Sequence, residues 1–109
     1  MTQLANVTAA TAPAAAAAVA ITAGQQCVPT VTLSALTAAV GVPAARIAIE
    51  DSPDGIAWTP LCVFRYAGAA GPGSEVMQSQ EVYPEQAVQA HVRAHLLQVN
   101  DTVSYTAAL

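Results

Sequence analysis

This sequence predicts an all-β fold, a β-sandwich of about seven to eight antiparallel strands in the immunoglobulin-like or jelly-roll style. Three observations lead there. Apolar and polar residues alternate with period two in several separate stretches. Clusters of Gly, Pro, Asn and Asp punctuate those stretches at roughly 8–12-residue intervals. The chain has 109 residues and a mass of 11.0 kDa, which suits one core in one domain.

Residues 1–11 have no strong period and are expected to form an N-terminal arm or an edge strand, ahead of a single sandwich domain over 12–109. An alanine-rich run follows. It suits a helix over 14–20, because Ala is the best helix former, but the alternation of Ala17, Val19, Ile21 and Ala23 favours a strand over 15–22. Thr30–Leu36 places Val31, Leu33 and Ala35 on one face and Thr30, Thr32 and Ser34 on the other, with a short helix over 35–40 as the competing form. Arg46–Glu50 sends Ile47 and Ile49 inward. Thr59–Tyr66 is apolar on both faces, with Leu61 and Val63 opposed to Cys62, Phe64 and Tyr66. Such a strand is either covered on both sides or carries an interface. In Val88–Leu96, Val88, Ala90, Val92, Ala94 and Leu96 share one face, and Gln89, His91, Arg93 and His95 share the other. Thr102–Leu109 groups Val103, Tyr105, Ala107 and Leu109. Turns are expected at 24–26, 41–43, 52–55 and 98–101, and the Gly-rich loop 67–74 is the most flexible piece.

Composition narrows the function. Hydrophobic residues make up 54% of the chain and charged residues 9%, against an average charged share of about 25%. There is no lysine, and the only cations are Arg46, Arg65 and Arg93 in a chain of net charge −4. That excludes a nucleic-acid module working through a basic patch. The run 12–23 is too short and too weakly apolar to span a bilayer. No Lys or Arg precedes it, so the expectation is an uncleaved protein with no export signal and no membrane partner. So few charges cover the exterior either because of a compositional bias or because neighbouring subunits cover much of the surface. A homo-oligomer or shell component is therefore expected.

Few residues could carry chemistry. Cys27 and Cys62 read as small buried hydrophobes, with a bridge between them as the alternative. His91 and His95 are about 13 Å apart along a strand, too far to share a metal ion. No nucleophile elbow, paired-carboxylate motif or phosphate loop is present. No enzyme activity, cofactor, metal, catalytic residue or binding residue is expected. Arg93 is expected either on the surface or paired with Glu50, Glu75, Glu81 or Glu85 at a subunit contact.

The most specific stretch is Ser52-Pro53-Asp54-Gly55-Ile56-Ala57-Trp58. Pro53 presets φ, Gly55 accepts a positive φ and Asp54 can accept hydrogen bonds from the turn's own amides. Ile47–Asp51 and Ala57–Tyr66 then form a hairpin, with Trp58 covering the turn and all three of Asp54, Gly55 and Trp58 structural. The stretch resembles an Asp-box with one residue missing between Asp54 and Gly55 and Ala57 in place of Thr, and the Asp-box is itself a structural hairpin.

Together with Thr30–Leu36 and Val88–His95, this hairpin resembles the small β-sandwich proteins of tailed-bacteriophage virions. The resemblance implies a virion structural protein, first of all a capsid decoration (cement) protein at the capsid surface, assembled in the host cytoplasm. Its partners would be the major capsid protein or other virion subunits, with no nucleic acid and no membrane. A tail or neck component is the alternative within the virion. From another class comes a carbohydrate-binding module, which needs an exposed aromatic platform drawn from Trp58, Phe64, Tyr66, Tyr83 and Tyr105.

Overall fold

A computed structural model describes residues 2–24, 29–37, 41, 43–67, 75–76, 79–82 and 88–109, with 75–76 and 79–82 described by their backbone alone. Cys27, Tyr83, Glu85 and the loop over 68–74 lie outside these residues. The strands, in chain order, are β1 (Gln3–Ala10), β2 (Ala14–Ala15), β3 (Val19–Ala20), β4 (Thr30–Thr37), β5 (Ala44–Ser52), β6 (Thr59–Ala67), β7 (Glu75–Val76), β8 (Ser79–Val82), β9 (His91–Val99) and β10 (Thr102–Ala108). They make two antiparallel sheets that pack as a β-sandwich. One has the order β1-β10-β4-β7; the other has β2-β9-β5-β6-β8, with β3 also on β9. No helix occurs among the described residues, so neither alanine-rich stretch that competed for one adopts it there.

β5 is the central strand of the larger sheet, paired with β6 on one side and β9 on the other. Its alternation turns Ile47 and Ile49 inward, both fully buried. Their cross-strand partners Phe64, Cys62, Leu96 and Ala94 join the same core. The smaller sheet contributes Val31, Leu33, Leu36, Val103, Tyr105 and Ala107. Burial pushes the Tyr105 phenol above its ordinary value. It raises the Cys62 thiol to about 11, and Cys62 is a free, buried cysteine, while Cys27, its expected alternative partner, lies outside the described residues.

Bulges decide several positions differently from plain alternation, because one extra residue flips every following side chain. The β4–β10 register shifts between Ser104 and Tyr105, so Leu36 is buried where Ala35 was expected. The β5–β6 register shifts between Ile49 and Glu50. That brings Leu61 into the core beside Cys62 and Phe64 and leaves Val63 as the one apolar residue of that run pointing outward. The two-sided pattern of this strand is thus explained inside the chain, with no neighbour needed. Along the edge, the pairs Ala15↔His95 and Val19↔Val92 differ by one residue in register. This splits the expected strand over 15–22 into β2 and β3, and it turns Ala16 rather than Ala17 toward the core, with Val19 and Ile21.

Two boundaries also move. β9 starts at His91, not Val88, because the Gln89 amide donates to Asp51 Oδ2 at 3.0 Å rather than to a neighbouring strand. Residues 3–10 are an edge strand of the domain itself. β1 pairs with β10 from Gln3 to Ala10. Thr2 and Leu109 exchange backbone hydrogen bonds of 2.9 and 2.8 Å, and Leu4 and Ala5 are buried. Over Gln3–Ala10 this segment pairs through its backbone with its own chain, as the edge-strand alternative expects. Its weak period has a cause: β1 carries register shifts on both sides of its centre, and Ala9 sits at φ 51° with its amide bonded to Ser104 Oγ.

Deleting residues 1–11 should therefore destabilise the isolated domain. Leu4→Ala alone should lower stability by about 2–5 kcal/mol, the usual cost of truncating a buried leucine. Urea denaturation of the two variants checks both. A deletion variant with the parent's midpoint would mean the segment is dispensable to the core.

Candidate functional site

The outer face of the larger sheet holds the chain's polar chemistry. β5, β6 and β9 carry all three arginines and both histidines. β1, β4 and β10, which form most of the smaller sheet, contain no charged residue at all.

At one end of this outer face, Glu50 and Arg93 are direct cross-strand partners. Arg93 Nε donates to Glu50 Oε1 at 2.8 Å. His95 Nδ1 lies 3.1 Å from the same oxygen. The Arg93 guanidinium packs over the Trp58 ring with Cζ 4.2 Å from its centroid. Glu50 is one of the four acids expected as a possible partner of Arg93, but the pair lies within one chain and not across a subunit contact. Trp58 is half-buried on the sheet surface. The stacking, rather than the core, is what holds its ring.

The turn that carries Trp58 is built from side-chain hydrogen bonds. Asp54 Oδ1 accepts from the amides of Ile56 at 2.8 Å and Ala57 at 3.0 Å, and from the Ser52 hydroxyl at 2.9 Å. Ser52 Oγ in turn accepts from the Gly55 amide at 2.8 Å and the Asp54 amide at 3.3 Å. The Ala57 and Ile56 amides, with the Ser52 hydroxyl, hold the Asp54 carboxyl below its ordinary 3.8. Gly55 has φ +77°, and a Cβ there would sit at ordinary contact distance from the His91 ring. The positive φ, not crowding, is what demands glycine. Asp54 and Gly55 are thus turn-forming, as the sequence implied. Ile56, at the tip, is 82% exposed.

Among the described residues, two buried side-chain polar atoms have no hydrogen-bond partner. Asp51 is fully buried, and its Oδ1 accepts nothing while Oδ2 takes the Gln89 amide. Arg46 Nε is also buried and unpartnered. Sequence reasoning passed over both, because an isolated Asp or Arg carries no signal until its cross-strand neighbours are known. No group of three or more His, Cys, Asp or Glu side chains able to hold a metal ion occurs among the described residues. No helix there is long and apolar enough to cross a membrane.

No family model, no curated protein and no solved structure matches this chain. The site is therefore read from its own geometry.

Three outcomes follow. Gly55→Val should cost about 1–2 kcal/mol or more, since a β-branched residue resists a left-handed conformation, read as a lowered thermal midpoint. Trp58→Ala should cost about 1–3 kcal/mol, the cation–π contact plus the apolar area of a half-buried ring, rather than the roughly 3–5 kcal/mol of a fully buried aromatic. Because the folded-state value of Asp54 is depressed, its contribution is present above pH 3.8 and is lost as pH falls through that depressed value. In an NMR titration the Ile56 and Ala57 amide shifts should move together with a midpoint below 3.8. A midpoint at or above that value would mean the carboxylate is not bonded in solution.

Proposed function

We propose that this protein is a structural subunit of a tailed-bacteriophage virion, a capsid decoration protein that lies across joints between capsid subunits and adds buried contact area. The observation that carries the reading is charge segregation: β1, β10 and β4 lie side by side without one charged residue. Charged residues are depleted at the centres of protein interfaces, where their desolvation costs most. Asn6, Thr32, Ser104 and Thr106 give this sheet a polar but uncharged exterior. The body measures 41 × 22 × 21 Å, so one broad face offers on the order of 800 Å², a standard contribution per partner. The hairpin and strand motifs that resemble virion sandwich proteins point the same way. A place in the tail or neck would use the same surface.

A second reading rests on Trp58. Half-buried on a sheet face beside Glu50, Arg93 and His95, it supplies an aromatic ring and polar groups together, as a carbohydrate-binding module requires. Phe64 and Tyr105 are not available for a platform, being buried in the core.

The two readings separate by experiment. Thr8 and Thr106 are exposed on the uncharged sheet, so Thr8→Lys and Thr106→Lys should leave the thermal midpoint nearly unchanged. Both should abolish co-sedimentation with particles stripped of this protein. Undiminished binding by both variants would refute the proposed face. Glycan-array binding that is lost in Trp58→Ala, with no affinity for particles, would favour the carbohydrate module instead.

A further inference from the structure

Charge is segregated along the chain as well as between the sheets. No Asp, Glu, Lys, Arg or His occurs before Arg46, so β1 to β4 carry none. β1 ends one sheet, and β2 and β3 end the other. Residues 11–13 join β1 to β2, and β1 packs against β9, the strand that β2 and β3 flank. These edges therefore lie together as one narrow flank of the sandwich. The strands of the opposite flank, β7 and β8, carry Glu75 and Glu81. The uncharged flank is left open in two ways. β1 pairs with β10 on one side only. Thr2 and Leu109 exchange their backbone hydrogen bonds, which sets the phase of the ladder. Ala5 and Val7, opposite Ala107 and Tyr105, direct their N–H and C=O groups at β10, while Gln3 and Asn6 direct theirs at the free edge. Among the described residues nothing pairs with that edge. An edge strand of this length ordinarily carries a lysine or a proline that blocks further pairing, and β1 has neither. Its one guard is Ala9, whose φ of 51° confines regular pairing to residues 3–8. Beside this edge, Ala14, Ala15, Ala17, Ala18 and Ala20 are all exposed.

We propose that this flank is an interface between two copies of the chain, related by a two-fold axis. The free β1 edges pair antiparallel across the axis, and the exposed alanines over 14–20 of the two copies meet beside them. A two-fold contact brings the same patch face to face, and antiparallel pairing is what such an axis generates for two identical edges. Each β1 then supplies the donors and acceptors that the other lacks. A second copy is the occupant that the charges favour. Each chain has a net charge of −4, so two copies repel unless the surfaces that meet are uncharged. Contact through the opposite flank would set Glu75 and Glu81 against their own counterparts; contact through β1, β2 and β3 sets no charge against another. The body measures 41 × 22 × 21 Å, so one long flank offers on the order of 800 Å² per copy, the contribution of a standard interface. Alanine loses no side-chain rotamer freedom on burial, which keeps the ordering cost low. The inference does not rest on the virion reading, since the flank is distinct from the broad face assigned to particle contact.

The test is sedimentation equilibrium of the 109-residue protein from about 10 μM to about 1 mM, with thermal denaturation of each variant in dilute solution. The expected result is a reversible equilibrium between the 11.0 kDa monomer and a dimer of twice that mass. Its constant should change little between low and high salt, because no charged side chain sits in the contact. Ala17→Glu, at an exposed position between β2 and β3, should weaken dimerisation about a hundredfold or more, since each copy would bury a carboxylate without a partner. Its thermal midpoint should stay close to the parent's. Asn6→Pro removes an edge donor that β10 does not use, and should weaken dimerisation as well. If that variant unfolds, Ala17→Glu decides alone. Thr106→Lys, on the broad face, should leave the dimer intact, so this interface and the particle-binding face fail in different variants. A monomer throughout the range, an open-ended assembly, or a dimer indifferent to Ala17→Glu would each overturn the proposal. Dissociation driven by salt would do the same, by placing the contact on charged surface.

Discussion

The register of β5 between β6 and β9 is the constraint from which the rest of the structure follows. A strand paired on both sides cannot slip without moving two neighbours, and a one-residue slip would exchange its faces. In the register adopted, Ile47 and Ile49 are buried at the centre of the core, while Arg46 and Glu50 face outward. The partners of those two outward residues then define both ends of the polar face. Glu50 opposite Arg93 fixes the Trp58 end, and Arg46 between Arg65 and Gln98 fixes the other. At its C-terminal end β5 runs into the turn at 52–57, so the same register also places Ser52 and Asp54 to bond the turn amides.

The smaller sheet plays a different part. Its inward residues, led by Leu33, Leu36, Val103 and Tyr105, close the core from the other side. The part of its outer surface formed by β1, β4 and β10 is left without charge because these strands have none to display. A chain with only ten charged residues in 109, seven acidic and three basic, has thus concentrated its cations on one sheet instead of scattering them. An even scatter is what keeps a free domain soluble. Segregation of this kind gives the molecule two chemically distinct broad faces, a polar uncharged one and a cationic one with an aromatic ring.

Much of this was legible in the sequence, and the failures have a common cause. Alternation located β4, β5, β6, β9 and β10 and named Ile47, Ile49, Val92 and Leu96 as core. The Pro-Asp-Gly turn was legible because its conformation is dictated locally. Leu36, Leu61 and Ala16 were misplaced because each adjoins a bulge, and a bulge is a property of two strands, not one. β1 was ambiguous because its own register shifts erase the period. The site shows the same limit. Glu50 could be named as one of four acids for Arg93, but the pairing, the packing of Arg93 on Trp58 and the juxtaposition of Arg46 with Arg65 all depend on which strands lie side by side.

The β5 register is open to a direct check. Inter-strand nuclear Overhauser contacts in the folded protein report which backbone positions lie opposite each other. The account predicts that Ile49 contacts Cys62 on one side and Ala94 on the other, with Arg46 opposite both Arg65 and Gln98. Contacts displaced by one residue, such as Ile49 opposite Val63 or His95, would turn Glu50 and Arg46 into the core and contradict both the polar face and the site argued from it.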